Sequence, residues 1–184
     1  MRRLFLPRCA GVTLLETLAV IGIVAALATI AVPSADPANG LAADAVAQEV
    51  AQALRFAQRE AMRTGAWHAV KLDAASQSVR LYRLRMPNAS VEDTTVKVLH
   101  PLDRRDYVLS LAGNAGHGVM LAEARFEFDK IGATNVVTFD PAGSPVGVVS
   151  TTDVKTLKAG TVRIRRGDQE RVLTLAPVTG RVSP

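Results

Sequence analysis

The longest apolar run in the chain spans residues 12–32, and Glu16 is its single charged residue. A helix over these 21 residues would be about 31 Å long at about 1.5 Å per residue, enough to cross the hydrocarbon core of a bilayer. Arg2, Arg3 and Arg8 precede the run, and the first charges after it are acidic. This asymmetry predicts a single-pass membrane helix with the N-terminus in the cytoplasm and the bulk of the chain outside it.

A break and a second helix follow the apolar run. Residues 33–40 read P-S-A-D-P-A-N-G, and this density of proline and glycine predicts a helix kink at Pro33 or a melted linker. Apolar residues then recur at spacings of three and four over residues 41–64, which predicts an amphipathic helix that ends at Gly65. The apolar stripe of this helix consists of Val46, Val50, Leu54, Ala57 and Ala61.

After Gly65 the pattern alternates with period two, which predicts strands. The predicted strands are residues 66–72, 78–84, 94–99, 106–111, 124–128, 136–139, 146–149, 161–165 and 171–175. The first two and the last two are each separated by a short polar turn and therefore indicate hairpins. The predicted fold class is α+β: a long N-terminal helix, partly transmembrane and partly amphipathic, packs on a C-terminal antiparallel sheet.

Few large side chains are available for the core of the domain over residues 41–184, since aromatic residues make up 4% of the chain. We expect its core to contain Phe126, Phe128, Phe139, Trp67 and Tyr82. The only cysteine is Cys9, so the chain beyond the apolar run offers no disulfide, no cysteine nucleophile and no cysteine metal ligand.

The sequence contains no pattern typical of catalysis. The three histidines, His68, His100 and His117, are far apart and lack metal-ligand spacing with acidic residues. The Gly-rich segment 112–118 lacks the lysine and the strand–loop–helix setting of a phosphate loop. Asp140 begins D-P-A-G-S, which is typical of a turn. We therefore expect no enzyme activity, no metal and no cofactor.

One group of basic residues has two open interpretations. Between residues 161 and 184, arginines outnumber Asp168 and Glu170. The plainer interpretation is a solvated hairpin at the edge of the sheet. The alternative is that Arg163, Arg165 and Arg181 contact nucleic-acid phosphates without reading the bases.

The segment Gly11-Val12-Thr13-Leu14-Leu15-Glu16 resembles the processing site of type IV prepilins and type II secretion pseudopilins. The resemblance implies that a prepilin peptidase cuts between Gly11 and Val12, removing residues 1–11 as a leader, and that Val12 is N-methylated. The first mature residue in that family is usually Phe, and here it is Val12. A secretory signal peptide fits less well, because the apolar run is too long and contains Glu16.

Cleavage at this site gives Glu16 a physical partner. The new α-amine of Val12 would be charged, and an ammonium and a carboxylate in lipid are much less costly together than apart. Glu16 would pair with Val12 of its own helix, or with Val12 of a neighbouring subunit. The second pairing would fix the register of assembly. Loss of the leader would leave 19 Lys and Arg against 17 Asp and Glu, so the high pI says little about the mature chain.

A second, looser resemblance concerns the remainder of the chain. The run L-R-F-A-Q-R-E-A-M-R at 54–63, V-V-T-F-D-P-A-G-S-P at 136–145 and T-G-R-V at 179–182 are similar to the GspH/FimT family of minor pseudopilins. This implies a pilin-like periplasmic domain over residues 41–184 in a minor subunit near the tip of a type II secretion pseudopilus. Its partners would be the bacterial inner membrane, other pseudopilins and secreted cargo. The alternative is a minor type IV pilin that primes pilus assembly or binds DNA for uptake.

Overall fold

The computed structural model describes residues 13–31, 37–85, 91–111, 118–150 and 152–184. They belong to two compact units, Met1–Asp36 and Pro37–Pro184. The predicted cleavage pair Gly11 and Val12 and the predicted kink at Pro33 lie outside the described residues.

The first unit contains the helix α1, Leu14–Ala31. Thr13 caps its N-terminus: the Thr13 carbonyl accepts hydrogen bonds from the backbone N–H groups of Glu16 and Thr17, at 3.0 and 3.2 Å, and the Thr13 hydroxyl accepts from Glu16 N–H at 3.4 Å. Among the described residues, no helix is both long and apolar enough to span a membrane.

The second unit begins with the helix α2, Pro37–Thr64. It starts four residues before the predicted position, because proline suits the first helical turn, where its missing N–H has no helical partner. Residues 37–40 are therefore helical, and the prediction of a linker there is wrong. The predicted end is confirmed: Gly65 has a φ of 65° and donates its N–H to the Ala61 carbonyl at 3.0 Å.

The described residues contain ten strands, all paired antiparallel. They are β1 His68–Asp73, β2 Ser78–Arg83, β3 Val108–Ser110, β4 Val119–Phe128, β5 Gly132–Thr134, β6 Val136–Phe139, β7 Pro145–Val148, β8 Val154–Arg166, β9 Gln169–Leu175 and β10 Val182–Ser183. The order along the sheet is β10-β9-β8-β7-β6-β1-β2-β3, and β4 pairs with β8 and β5. The long strand β8 joins two parts of the sheet. Its first residues pair with β7, and its later residues pair with β4 and β9.

The core lies between α2 and this sheet. All five residues of the predicted apolar stripe on α2 are buried, as are Phe126, Phe128 and Phe139. Trp67 and Tyr82 are only half-buried, so their assignment to the core is wrong. Every residue of the core cluster belongs to the second unit, which therefore has a hydrophobic core of its own. The packing of a helix on an antiparallel sheet confirms the α+β class.

The sheet differs from the predicted strands in three places. Residues 94–99 form turns and a single bridge, Leu99 to Asp106, instead of a strand. Strands β4 and β8 are longer than predicted, because they pair along 119–128 and 157–166 with two irregularities in register that interrupt the alternation. Strands β5 and β10 were missed, since three and two residues are too few to show a period.

Candidate assembly helix and basic surfaces

The helix α1 exposes every side chain that the structure describes on it, over residues 14–24. The relative exposure of Leu14 is 81% and that of Leu15 is 82%, and Leu18, Ile21 and Ile23 are exposed as well. A helix that is apolar on all sides is stable when it is covered by lipid or by other protein. The described residues of the first unit do not shield this apolar surface of α1 from solvent, so lipid or another protein is needed to shield it.

Glu16 is the only ionisable residue on α1. It occupies the first turn, where its carboxylate interacts favourably with the positive end of the helix dipole. Its side chain is exposed, and its backbone N–H is bonded to the Thr13 cap. The carboxylate is thus available to a partner outside the helix. The pairing with Val12 stays a prediction, since Val12 lies outside the described residues.

The structure brings together two of the three arginines predicted to contact phosphate. Arg163 and Arg165 project from the same exposed side of β8. Carboxylates flank Arg163 on both neighbouring strands: Glu123 of β4 and Glu170 of β9 each lie 3.5 Å from its guanidinium. Arg165 donates from Nε to the Gly167 carbonyl at 2.9 Å. A phosphate would have to compete with these carboxylates, so the outer face of β8 is a charge-balanced surface.

Arg181 lies elsewhere. It follows the turn after Leu175, whereas Arg165 pairs with Glu170 near the other end of β9. Five residues of strand separate these two ends, or about 17 Å. The Arg181 turn instead packs on α2, where the Gln58 side-chain amide donates to the Gly143 and Thr179 carbonyls, both at 2.8 Å. The contact of these arginines with nucleic acid stays a prediction.

Sequence reasoning missed the environment of His68. This residue begins β1 and is buried, with Nδ1 3.0 Å from the Ala66 carbonyl. Burial lowers the pKa of His68, and the charges of Arg83 and Arg63 lower it further, against the opposing effects of the Ala66 carbonyl and Glu60. His68 lies in a predicted strand, but the charged groups that surround it come from α2 and β2, and only the fold brings them together.

This lowered pKa predicts that stability falls with pH below about 6.5, the ordinary pKa of an unfolded histidine. Between that value and the folded pKa, the unfolded chain binds more protons than the folded one, so the free energy of unfolding decreases as the pH decreases. Urea unfolding of residues 37–184 at pH 7.5 and 5.5 measures the effect. We expect His68→Gln to reduce the pH dependence and His100→Gln to retain it. An equal dependence in wild type and His68→Gln would contradict the assignment.

The described residues contain no group of three or more histidine, cysteine or acidic side chains able to hold a metal. The predicted turn chemistry of Asp140 is confirmed: its Oδ1 accepts from the backbone N–H of Ala142 at 2.9 Å and of Ser144 at 2.8 Å. These bonds use the carboxylate within its own turn. The expectations of no enzyme activity, no metal and no cofactor remain expectations.

The solved structures that are similar to the chain include two of the minor pseudopilin EpsH from the type II secretion system of Vibrio cholerae. One is 16% identical, with a TM-score of 0.48, and the match covers 77% of this chain and 94% of that one. The other is 15% identical, with a TM-score of 0.47 and coverages of 78% and 93%. No protein-family model and no curated protein matches the chain. At these levels the likeness carries no argument about function.

Proposed function

We propose that this protein is a minor pseudopilin, a structural subunit of a type II secretion pseudopilus that assembles near its tip and supports protein export. The observation that carries the proposal is α1. It is apolar on all described sides, its side chains over residues 14–24 are exposed, and its one carboxylate lies in the first turn directly after a prepilin-like cleavage sequence. A plain membrane anchor would explain the apolar surface but not Glu16 or the Gly11–Val12 sequence.

The proposed mechanism is an exchange of environments. In the inner membrane, lipid covers the apolar run 12–32, with the N-terminus in the cytoplasm and residues 41–184 in the periplasm. On assembly, helices of neighbouring pseudopilins replace the lipid around α1. Helix association in lipid depends on close packing and on polar contacts rather than on a hydrophobic gain, so Glu16 would contribute strongly to the specificity of the contact.

No catalytic step is proposed for the chain, and the prepilin peptidase acts on it as a processing enzyme. The type IV pilin alternative would be favoured by nucleic-acid binding. Arg163 lies between Glu123 and Glu170, so no contact in the described residues favours that alternative over the pseudopilus.

Cysteine cross-linking in membranes tests the proposal, because the mature chain would contain no cysteine of its own. Single cysteines would be placed in turn from Leu18 to Val24 in cells that carry the secretion system and labelled with a thiol-reactive photo-crosslinker, so that no partner cysteine is needed. We expect cross-links to other pseudopilins that recur with a helical period, since a packed helix presents a fixed face. The cysteine-free mature chain is the control. Cross-linking that is uniform around the helix, or absent, would indicate a plain anchor.

A further inference from the structure

A basic pocket lies on the second unit, away from α1 in sequence. Its cavity volume is about 490 Å³. Its walls are the C-terminal half of α2, the start of β1, the end of β2 and the segment 96–104. His68 and Arg83 line it from the sheet, Arg63 from α2, and His100 and Arg104 from the segment.

The wall formed by the segment is fixed by packing. The Tyr107 ring stacks on Phe56 of α2 with 5.1 Å between centroids, and His100 packs against Tyr107 at 4.8 Å. The Tyr107 N–H donates to the Val98 carbonyl at 2.8 Å, and the His100 N–H donates to the Arg105 carbonyl at the same distance. The pocket is therefore a built feature rather than a gap beneath a loose loop.

The acidic groups around the pocket are already engaged. Glu60 accepts hydrogen bonds from Arg63, including Nε at 2.9 Å, and this contact lowers the pKa of Glu60. Asp106 accepts from Lys97 at 2.8 Å. Asp93 accepts from the backbone N–H of Thr95 at 3.1 Å and from its hydroxyl. These carboxylates already bind neighbouring groups, so they do not fully neutralise Arg83 and Arg104.

Two arginines keep unused hydrogen-bonding capacity. The buried Nε of Arg83 has no hydrogen-bond partner, and its nearest carboxylate oxygen, on Asp93, is 3.9 Å away. The Arg104 guanidinium forms no ion pair within the described part of the chain. The Arg83 side chain is 37% exposed in spite of its buried Nε, and a guanidinium is well suited to binding a carboxylate through two parallel hydrogen bonds.

We propose that this pocket between α2, β2 and the segment 96–104 binds a carboxylate side chain from an acidic segment of a partner protein. The cavity has room for one or two side chains. A single side chain can enter a cavity of this size, whereas the phosphates of an extended nucleic acid would run across the surface outside it. The proposal concerns a surface of the second unit and does not depend on the subunit role.

Calorimetric titration of the full chain in a neutral detergent at low salt tests the proposal. The probe is an acetylated, amidated hexaglutamate peptide, and hexaglutamine is its neutral match. We expect hexaglutamate to bind and hexaglutamine not to bind. Arg104→Asn should weaken binding about tenfold or more, as expected for loss of a charge-assisted contact, and asparagine suits the positive φ of 58° at this position.

Arg105→Asn is the matched control. It removes the same charge at the next residue, and the Arg105 side chain does not line the pocket. It should bind hexaglutamate within about twofold of wild type. Equal weakening by both variants would overturn the proposal in favour of general attraction to a basic surface. Binding of inorganic phosphate or of a short DNA duplex, but not of hexaglutamate, would overturn the assignment of an acidic protein segment.

Discussion

Replacing Glu16 with alanine should reduce cross-linking through a cysteine at Ile21 by about tenfold or more, which corresponds to at least about 1.4 kcal/mol. The reason is that the Val12 ammonium created by cleavage would remain in an apolar environment without its counter-charge. Glu16→Gln keeps the size of the side chain and removes the charge, so it should behave like Glu16→Ala. Glu16→Asp should retain part of the cross-linking.

The N-terminal cap of α1 provides the control for this prediction. Thr13 caps the helix by accepting a hydrogen bond from the Glu16 backbone N–H. The Glu16 carboxylate also stabilises the helix, because a negative charge in the first turn interacts favourably with the helix dipole. Thr13→Ala weakens the helix start but retains the Glu16 carboxylate, so cross-linking should be nearly normal. Equal loss in Thr13→Ala and Glu16→Ala would show that helix stability, and not charge pairing, controls assembly.

Replacing Phe126 with alanine should lower the stability of residues 37–184 by about 3–5 kcal/mol. Phe126 is 0% exposed and lies on β4, and a Cβ at the facing Gly160 would be 3.1 Å from its ring. The backbone at Gly160 is thus already in close contact with the Phe126 ring, so it cannot move far into the cavity that the truncation would leave. For a domain of this size the midpoint of thermal unfolding should fall by about 6–20 °C.

Val149→Ala is the control for that measurement, because Val149 is 51% exposed. Its unfolding midpoint should change by no more than a degree or two, since a surface truncation usually alters stability by under about 0.5 kcal/mol. A small effect of Phe126→Ala would contradict the burial of Phe126 in the core.

The sequence predicted the elements whose period is regular and whose contacts are local. The stripe on α2, its end at Gly65, and the hairpin of β1 and β2 follow from alternation and from turn residues. Asp73 illustrates the turn, because its Oδ1 accepts from the backbone N–H groups of Ala75 and Ser76 at 3.0 and 3.2 Å.

The remaining features depend on contacts between distant residues. Gln77 ends the β1–β2 turn with a φ of 48°, and its side-chain amide bonds to both the N–H and the carbonyl of Leu121, at 2.8 and 3.0 Å. No local pattern indicates this contact across 44 residues. The same holds for the basic pocket, since the contact between Phe56 and Tyr107 that fixes its wall joins α2 to a segment predicted as a strand.

The identity of the mature N-terminus tests the account most directly. The full chain would be expressed in membranes with and without a prepilin peptidase, and its intact mass would be measured. We expect the peptidase to remove residues 1–11, leaving a chain that begins at Val12, with or without one added methyl group. A chain that retains residues 1–11 with the peptidase present, or one that is cut within the apolar run as a signal peptide would be, would contradict the proposed processing.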